Sequence, residues 1–339
     1  MALMNPINVT RRDLMRRSVA AAAVFAASRV FGSQQEPADA LQIIDSHVHI
    51  WNLKQFHLPW LDHNIPVLSR DYSVADYAEA ASGLNIVAAV YIEVNVEPGQ
   101  EEREAEYVTE LCRLPDNPFA AGVIAGDPRD ASFPKYLDRI KESPAIRGVR
   151  FHYPPGGSSD PAFLSGLQEL GRRKLSFDLQ VGASLLADAV KTVKSCPETQ
   201  FVLDHCGGGD PRIFRKASDN EPQARRSREA WREGIVAIAK QPNVACKISG
   251  VADVALPGDA TAEDVAPVVN HCLDEFGPDR VLFGGDWPVC LKGSTLKYWV
   301  DSLKRVVSGR SAEDRRKLFS GNAKKIYRLS NLSKTSAKK

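Results

Sequence analysis

The chain of 339 residues has almost no net charge, with 44 Lys and Arg against 42 Asp and Glu and a formal charge of +2. That balance excludes the basic surface of a nucleic-acid-binding domain. Its six cysteines include no CxxC pair, and a core of this size needs no covalent staples. Free buried thiols are therefore the default, with at most one bridge in an oxidising compartment. No internal repeat occurs, and no apolar run reaches the ~20 residues of a membrane-spanning helix. Gly207-Gly208-Gly209 stands in neither a P-loop nor a GxGxxG context, so it reads as a surface loop. What is present is ordinary globular composition, 43% hydrophobic and 25% charged, enough for a well-buried core.

The two ends read as something other than fold. Thr10-Arg11-Arg12-Asp13-Leu14-Met15-Arg16 and the apolar residues 18–27 resemble a twin-arginine export signal, assigned to residues 1–32. An ordinary amphipathic N-terminal helix is the alternative. Cleavage near Gly32-Ser33 would remove five bases and one acid, leaving a charge of about −2. The first cysteine is Cys112, which argues against a lipoprotein anchor. The expected partner is the twin-arginine translocation machinery and the expected location periplasmic or secreted, without a stable membrane anchor. Residues 330–339 are polar and basic and are expected to be a disordered tail.

Between these ends, short β-branched runs alternate with longer helical patterns. Strands are expected at 43–49, 86–94, 120–127, 147–153, 176–181, 201–207, 244–250 and 281–288. Helices are expected between them, for example at 101–114, 162–174, 185–195, 228–240 and 262–276. Eight strand-then-helix repeats fit an α/β fold, a single-domain (β/α)8 TIM-like barrel over residues 42–329, better than an open doubly wound sheet. A C-terminal extra helix at 312–329 should pack under or beside the barrel.

Such barrels place their chemistry at the C-terminal ends of the strands. The first strand ends Asp45-Ser46-His47-Val48-His49, and strand alternation turns both histidines to one side, about 6–7 Å apart. That spacing suits two imidazoles converging on a metal, a carbonyl or a water. The sixth strand ends Asp204-His205-Cys206-Gly207 and the eighth Gly284-Gly285-Asp286-Trp287-Pro288. Three histidines and a carboxylate thus reach one mouth.

These segments, together with Pro59-Trp60-Leu61, Gly148-Val149-Arg150, the 243–250 run containing Lys247-Ile248-Ser249-Gly250, and Gly321-Asn322-Ala323, resemble the amidohydrolase superfamily. Within it, the resemblance is to the branch of amidohydrolase-related proteins that holds sugar-lactone hydrolases of the L-fuconolactonase and L-rhamnonolactonase types and 2-pyrone-4,6-dicarboxylate lactonase. The resemblance implies that Asp286 takes a proton from the attacking water. It also implies that His47, His49 and His205 polarise the lactone carbonyl and stabilise its oxyanion. The chain departs from the wider superfamily in lacking a bridging lysine or glutamate on the fourth strand and a histidine on the fifth, which argues against a binuclear metal site. This loss resembles the lactonase branch, and that resemblance implies hydrolysis without a cofactor, with one zinc or manganese ion on His47, His49 and Asp286 as the alternative.

Substrate contacts are assigned to Arg150, His152, Glu93, Lys247, Trp287 and Trp60. Each has a second reading. Arg150 could be a structural ion-pair residue, Glu93 rim charge, and Lys247 a brace for Asp286 or the barrel floor. Both tryptophans could be packing residues. His57 and His63 read as solvated loop residues and His271 as structural. The expected function is an exported hydrolase of a small carbohydrate lactone. Its rivals are a metal-dependent decarboxylase or amide hydrolase and a non-catalytic periplasmic carbohydrate-binding barrel.

Overall fold

A computed structural model of the protein describes residues 41–63, 65–140, 143–252 and 261–329. The expected export signal and basic tail lie outside the described residues. Eight parallel strands follow one another in chain order: β1 Ile43–Val48, β2 Ile86–Ile92, β3 Phe119–Ala125, β4 Ile146–His152, β5 Ser176–Gln180, β6 Gln200–Leu203, β7 Val244–Ile248 and β8 Val281–Phe283. A parallel bridge between Val48 and Trp287 joins the segment after the last strand to the first strand. The sheet is therefore a (β/α)8 barrel.

Alternation explains the core. Ile44, Val90, Val123, Val202, Ala245 and Leu282 point inward and form one buried cluster, while the opposite face of each strand packs on the surrounding helices. Those helices include α1 Val74–Ala80, α2 Glu101–Arg113, α3 Phe133–Ile140, α4 Pro161–Arg172, α5 Leu186–Ser195, α6 Pro222–Ala239, α7 Ala262–Phe276 and α8 Leu296–Val306. Their starts follow local chemistry. Asp160 accepts from the Ala162 and Phe163 amides ahead of Pro161, and Thr261 forms a capping box with Asp264. Helix α6 begins at Pro222, six residues before the expected start, because proline suits the first helical turn.

Three expectations need adjustment. Strands β6 and β8 stop at Leu203 and Phe283 rather than at Gly207 and Pro288. His205, Cys206 and Asp286 adopt left-handed backbone conformations with φ of 53°, 52° and 53°, which takes the chain out of the sheet. The C-terminal helix is broken into α9 Ala312–Arg316, a π-helical turn Lys317–Gly321 and α10 Asn322–Ile326. Ala323, Tyr327 and Leu329 then join the cluster inside the barrel, so the segment plugs the barrel floor. Asn322 fixes it by donating to the carbonyls of Pro278 at 2.8 Å and Val281 at 2.6 Å. All six cysteines are free, five of them buried. Among the described residues, no helix is long and apolar enough to cross a membrane.

Candidate active site

The site begins with a bulge in β1. Asp45 pairs with Ala89 and Val48 with Tyr91, so β1 spends one residue more than β2 over this stretch. The extra residue reverses the parity set by Ile44, and His47 and His49 both face the barrel interior. Asp45 is left on the outer side, where it accepts from the amides of Gly285 at 2.7 Å and His47 at 3.1 Å and from the Tyr77 hydroxyl at 3.0 Å. Burial pushes Asp45 up to about 7 against these donors.

Room for the imidazoles comes from two glycines. A Cβ on Gly284 would stand 2.8 Å from the His47 Cβ. Gly250, at φ +63°, would place a Cβ 2.4 Å from the His205 Nδ1. His205 is held instead by Ser249, whose Oγ lies 3.0 Å from the same nitrogen.

The reacting groups meet at the seam between β1 and β8. His47 Nε2 and His49 Nε2 are 3.1 Å apart, and the Asp286 Oδ1 lies 3.6 Å from the first and 3.5 Å from the second. The rings of His47 and His205 have centroids 4.6 Å apart. Two backbone bonds lock the seam: the Asp286 amide donates to the His47 carbonyl and the His49 amide to the Trp287 carbonyl, both at 2.8 Å.

Protonation follows from burial. Desolvation, then the positive charge of Lys247, holds His47 well below the ordinary histidine range. Desolvation, then Arg150, takes His49 down to about 4. Both rings are neutral at pH 7. His49 Nδ1 donates to the Ile92 carbonyl at 2.9 Å, leaving Nε2 as a bare lone pair toward the cavity. His47 Nδ1 sits 3.2 Å from Lys247 Nζ and 3.5 Å from Asp204 Oδ1. The neighbour it uses sets its task. Accepting from Lys247 leaves a proton on Nε2 for donation to an oxyanion, whereas donating to Asp204 leaves Nε2 free to bind a metal.

The donor set fits one ion. Ligand atoms about 2.0–2.1 Å from a tetrahedral zinc stand about 3.3 Å from one another, and the three separations among His47, His49 and Asp286 fall on either side of that value. His205 can supply a further nitrogen, because ligand atoms of His47, His205 and Asp286 all lie within 4.8 Å of one another.

Beneath the imidazoles lies a buried ionic layer whose acids the sequence analysis left without roles. Lys247 Nζ is 2.5 Å from Asp178 Oδ2 and 3.1 Å from Asp204 Oδ1. The Tyr327 hydroxyl donates to Asp178 Oδ2 at 2.8 Å. Burial opposes ionisation of Asp204, but Lys247 and His47 outweigh it and hold the carboxyl well below the usual range. Asp178 moves the other way, raised mainly by burial. One signal for this layer was in the sequence: Asp178 and Lys247 are charges in the middle of short strands, at inward parity.

A cavity of about 320 Å³ opens above, lined by His49, His205 and Asp286 together with Trp60, Glu93, Asn95, Arg150, His152, Gln180 and Lys292. Four of the six expected substrate contacts line it. Trp60 is fixed there by donating to the Val94 carbonyl at 2.8 Å. Arg150 spans both of its readings, since it faces the cavity yet is bound to Glu93 at 2.7 Å and Asp204 at 3.0 Å. Two assignments are corrected. Lys247 is fully buried in the ionic layer, and Trp287 packs on Tyr72 and Tyr77 at 5.1 and 5.4 Å between centroids; neither lines the cavity. Gln180 and Asn95 line it without having been singled out. His57 and His63 are exposed, and His271 packs against Trp231.

Comparison with known proteins agrees with this architecture. The chain is 28% identical over 298 residues to an L-fucono-1,5-lactonase of Burkholderia multivorans, covering 84% of this chain and 96% of that one. It is 25% identical over 342 residues to an L-rhamnono-gamma-lactonase of Scheffersomyces stipitis, covering 85% and 99%. Among solved structures, an amidohydrolase from Burkholderia multivorans with bound zinc superposes with a TM-score of 0.72 at 24% identity, covering 85% of this chain and 99% of that one. A family model described as Amidohydrolase matches residues 44–329. That match runs from β1 through the floor plug, and the chain therefore belongs to the amidohydrolase family.

Proposed function

We propose that the protein hydrolyses a small carbohydrate-type lactone. The observation that carries this reading is the convergence of Asp286 with three imidazoles at the base of a cavity of sugar size. Relatives named as lactonases of fuconic and rhamnonic acid support the substrate class. Asp286 accepts the proton of the attacking water and returns it to the ring oxygen as the acyl–oxygen bond breaks. His205, braced by Ser249, faces the carbonyl oxygen and stabilises the developing negative charge. The bare Nε2 of His49, 3.5 Å from the Asp286 Oδ1, accepts from the same attacking water and so helps to place it. A non-catalytic binding barrel would need no base set among buried imidazoles.

The expectation of hydrolysis without a cofactor gives way to one divalent ion held by His47, His49 and Asp286. Such an ion, when bound, polarises a carbonyl and makes a water more acidic. The donor spacing supports this, as does the bound zinc of the structural neighbour. Proton release from aldono-1,5- and 1,4-lactones, measured after chelation and after reloading with zinc or manganese, tests both parts. Loss of at least ~100-fold on chelation with recovery on reloading is expected. Full activity without metal removes the ion, and silence of the loaded protein removes the lactonase in favour of a decarboxylase or amide hydrolase.

Residues 1–32 are proposed to export the folded enzyme to the periplasm, on the strength of Arg11-Arg12 and the apolar run after them. Deleting them should leave active protein in the cytoplasm; periplasmic recovery of the truncated chain would refute export.

A further inference from the structure

The catalytic groups occupy one side of the barrel mouth, on β1, the turn after β6 and the turn after β8. Strands β4 and β5 stand across from β8 and β1 in the closed ring, so their ends face the part of a substrate remote from the bond that breaks. His152 and Gln180 occupy those ends as direct register partners, and both line the cavity. The Gln180 backbone is fixed, its carbonyl accepting from the Tyr153 amide at 3.0 Å. Its side chain is not. The Oε1 atom is buried and has no hydrogen-bond partner among the described residues. A buried amide oxygen left in that state costs free energy unless something completes it, and this one borders a cavity.

Charge narrows what can complete it. The cation of this wall, Arg150, is committed on both sides, to Glu93 Oε1 at 2.7 Å and to Asp204 Oδ2 at 3.0 Å. Burial, reinforced by Arg150, keeps His152 from protonating readily. Lys292 follows β8 on the Asp286 side of the mouth. Two carboxylates already stand on Arg150, so a carboxylate or sulfonate on the remote part of a ligand would bring a third negative charge to it and would face Glu93. A hydroxyl would find an acceptor and a neutral imidazole.

We propose that Gln180 and His152 form a hydroxyl-reading subsite that selects neutral, polyhydroxylated lactones over unsubstituted and anionic ones. This rests on the lactonase reading for its reaction but not for its binding. Sites that hydrogen-bond a substrate hydroxyl discriminate strongly against analogues without it.

The test uses lactams, whose ring nitrogen makes them stable analogues, beside the lactones. Calorimetry on the full-length protein should show a hydroxylated δ-lactam binding at least ~10-fold more tightly than δ-valerolactam or a carboxylated δ-lactam. Gln180→Met should cut the preference over δ-valerolactam by ~10-fold or more, mirrored in the kcat/KM ratio for hydroxylated over plain δ-lactones and carried mainly by KM. Gln180→Asn, which withdraws the amide by one methylene, should do the same and decides the matter if the methionine variant folds poorly. An unchanged preference in a folded variant, or equal weakening of both lactams, overturns the subsite. Lactam discrimination that depends on Gln180 without any lactone opening supports the subsite and overturns the reaction instead.

Discussion

Among single residues, Asp286 carries the sharpest expectation. It is held at φ 53° after two glycines, with its amide bonded to the His47 carbonyl, so its place is set by backbone rather than by its own charge. Asp286→Asn should therefore lower kcat on the best lactone by about 10³-fold or more while the melting temperature shifts little. Turnover near that of the wild type would remove it as the base. Its position was legible because the residue follows the last strand of a barrel, as His205 follows the sixth. Lys247 was legible as important, with a substrate contact and a brace in the barrel floor both open to it: a lysine at inward parity looks the same in sequence whether it ends at the mouth or one layer down. Only the partners Asp178 and Asp204, contributed by two other strands, decide which.

Secondary-structure elements add what no single residue announces. The eight strands and most helices followed from periodicity, since each presents one apolar face to a shared core. The β1 bulge did not, because alternation predicts only that His47 and His49 share a side, not that the parity of Ile44 must be reversed to bring them inside. The floor plug was expected as one helix under or beside the barrel; it lies under it, and its π-helical turn lets Asn322 and Tyr327 engage different layers. Tyr327 thus links the last described turn to the layer under the imidazoles through Asp178. Tyr327→Phe should cost about 1–3 kcal/mol of stability, because it strips a buried carboxylate of a donor, with the loss read by denaturant unfolding. An unchanged midpoint would mean that the plug is held by apolar packing alone.

For the whole molecule, buried acids set the response to pH. Glu104 on α2 accepts from the Tyr91 hydroxyl and the Val94 amide, yet burial and the nearby Glu93 push it up to about 8 from 4.5. A folded-state value above the unfolded one means the folded chain holds its proton longer. The stability associated with that proton is full below about 4.5 and is lost as pH rises through about 8. Asp45, raised to about 7, acts in the same direction. His47 and His49, held below the ordinary histidine range, act the other way below about 6.5. Melting temperature should therefore decline between about pH 6.5 and 8.5, and Glu104→Gln should flatten the decline; parallel curves for the two proteins would exclude Glu104 as a source.

The β1–β8 seam has a consequence for biosynthesis. His47 and His49 leave the ribosome early, whereas Asp286 and the Trp287 carbonyl that fastens His49 come some 240 residues later. A nascent or prematurely terminated chain holds imidazoles without a base, and the reaction centre comes into being only when the two ends of the barrel meet. Copies that end before the turn after β8 are inert by construction, so hydrolytic activity in a cell counts only chains that have passed Trp287.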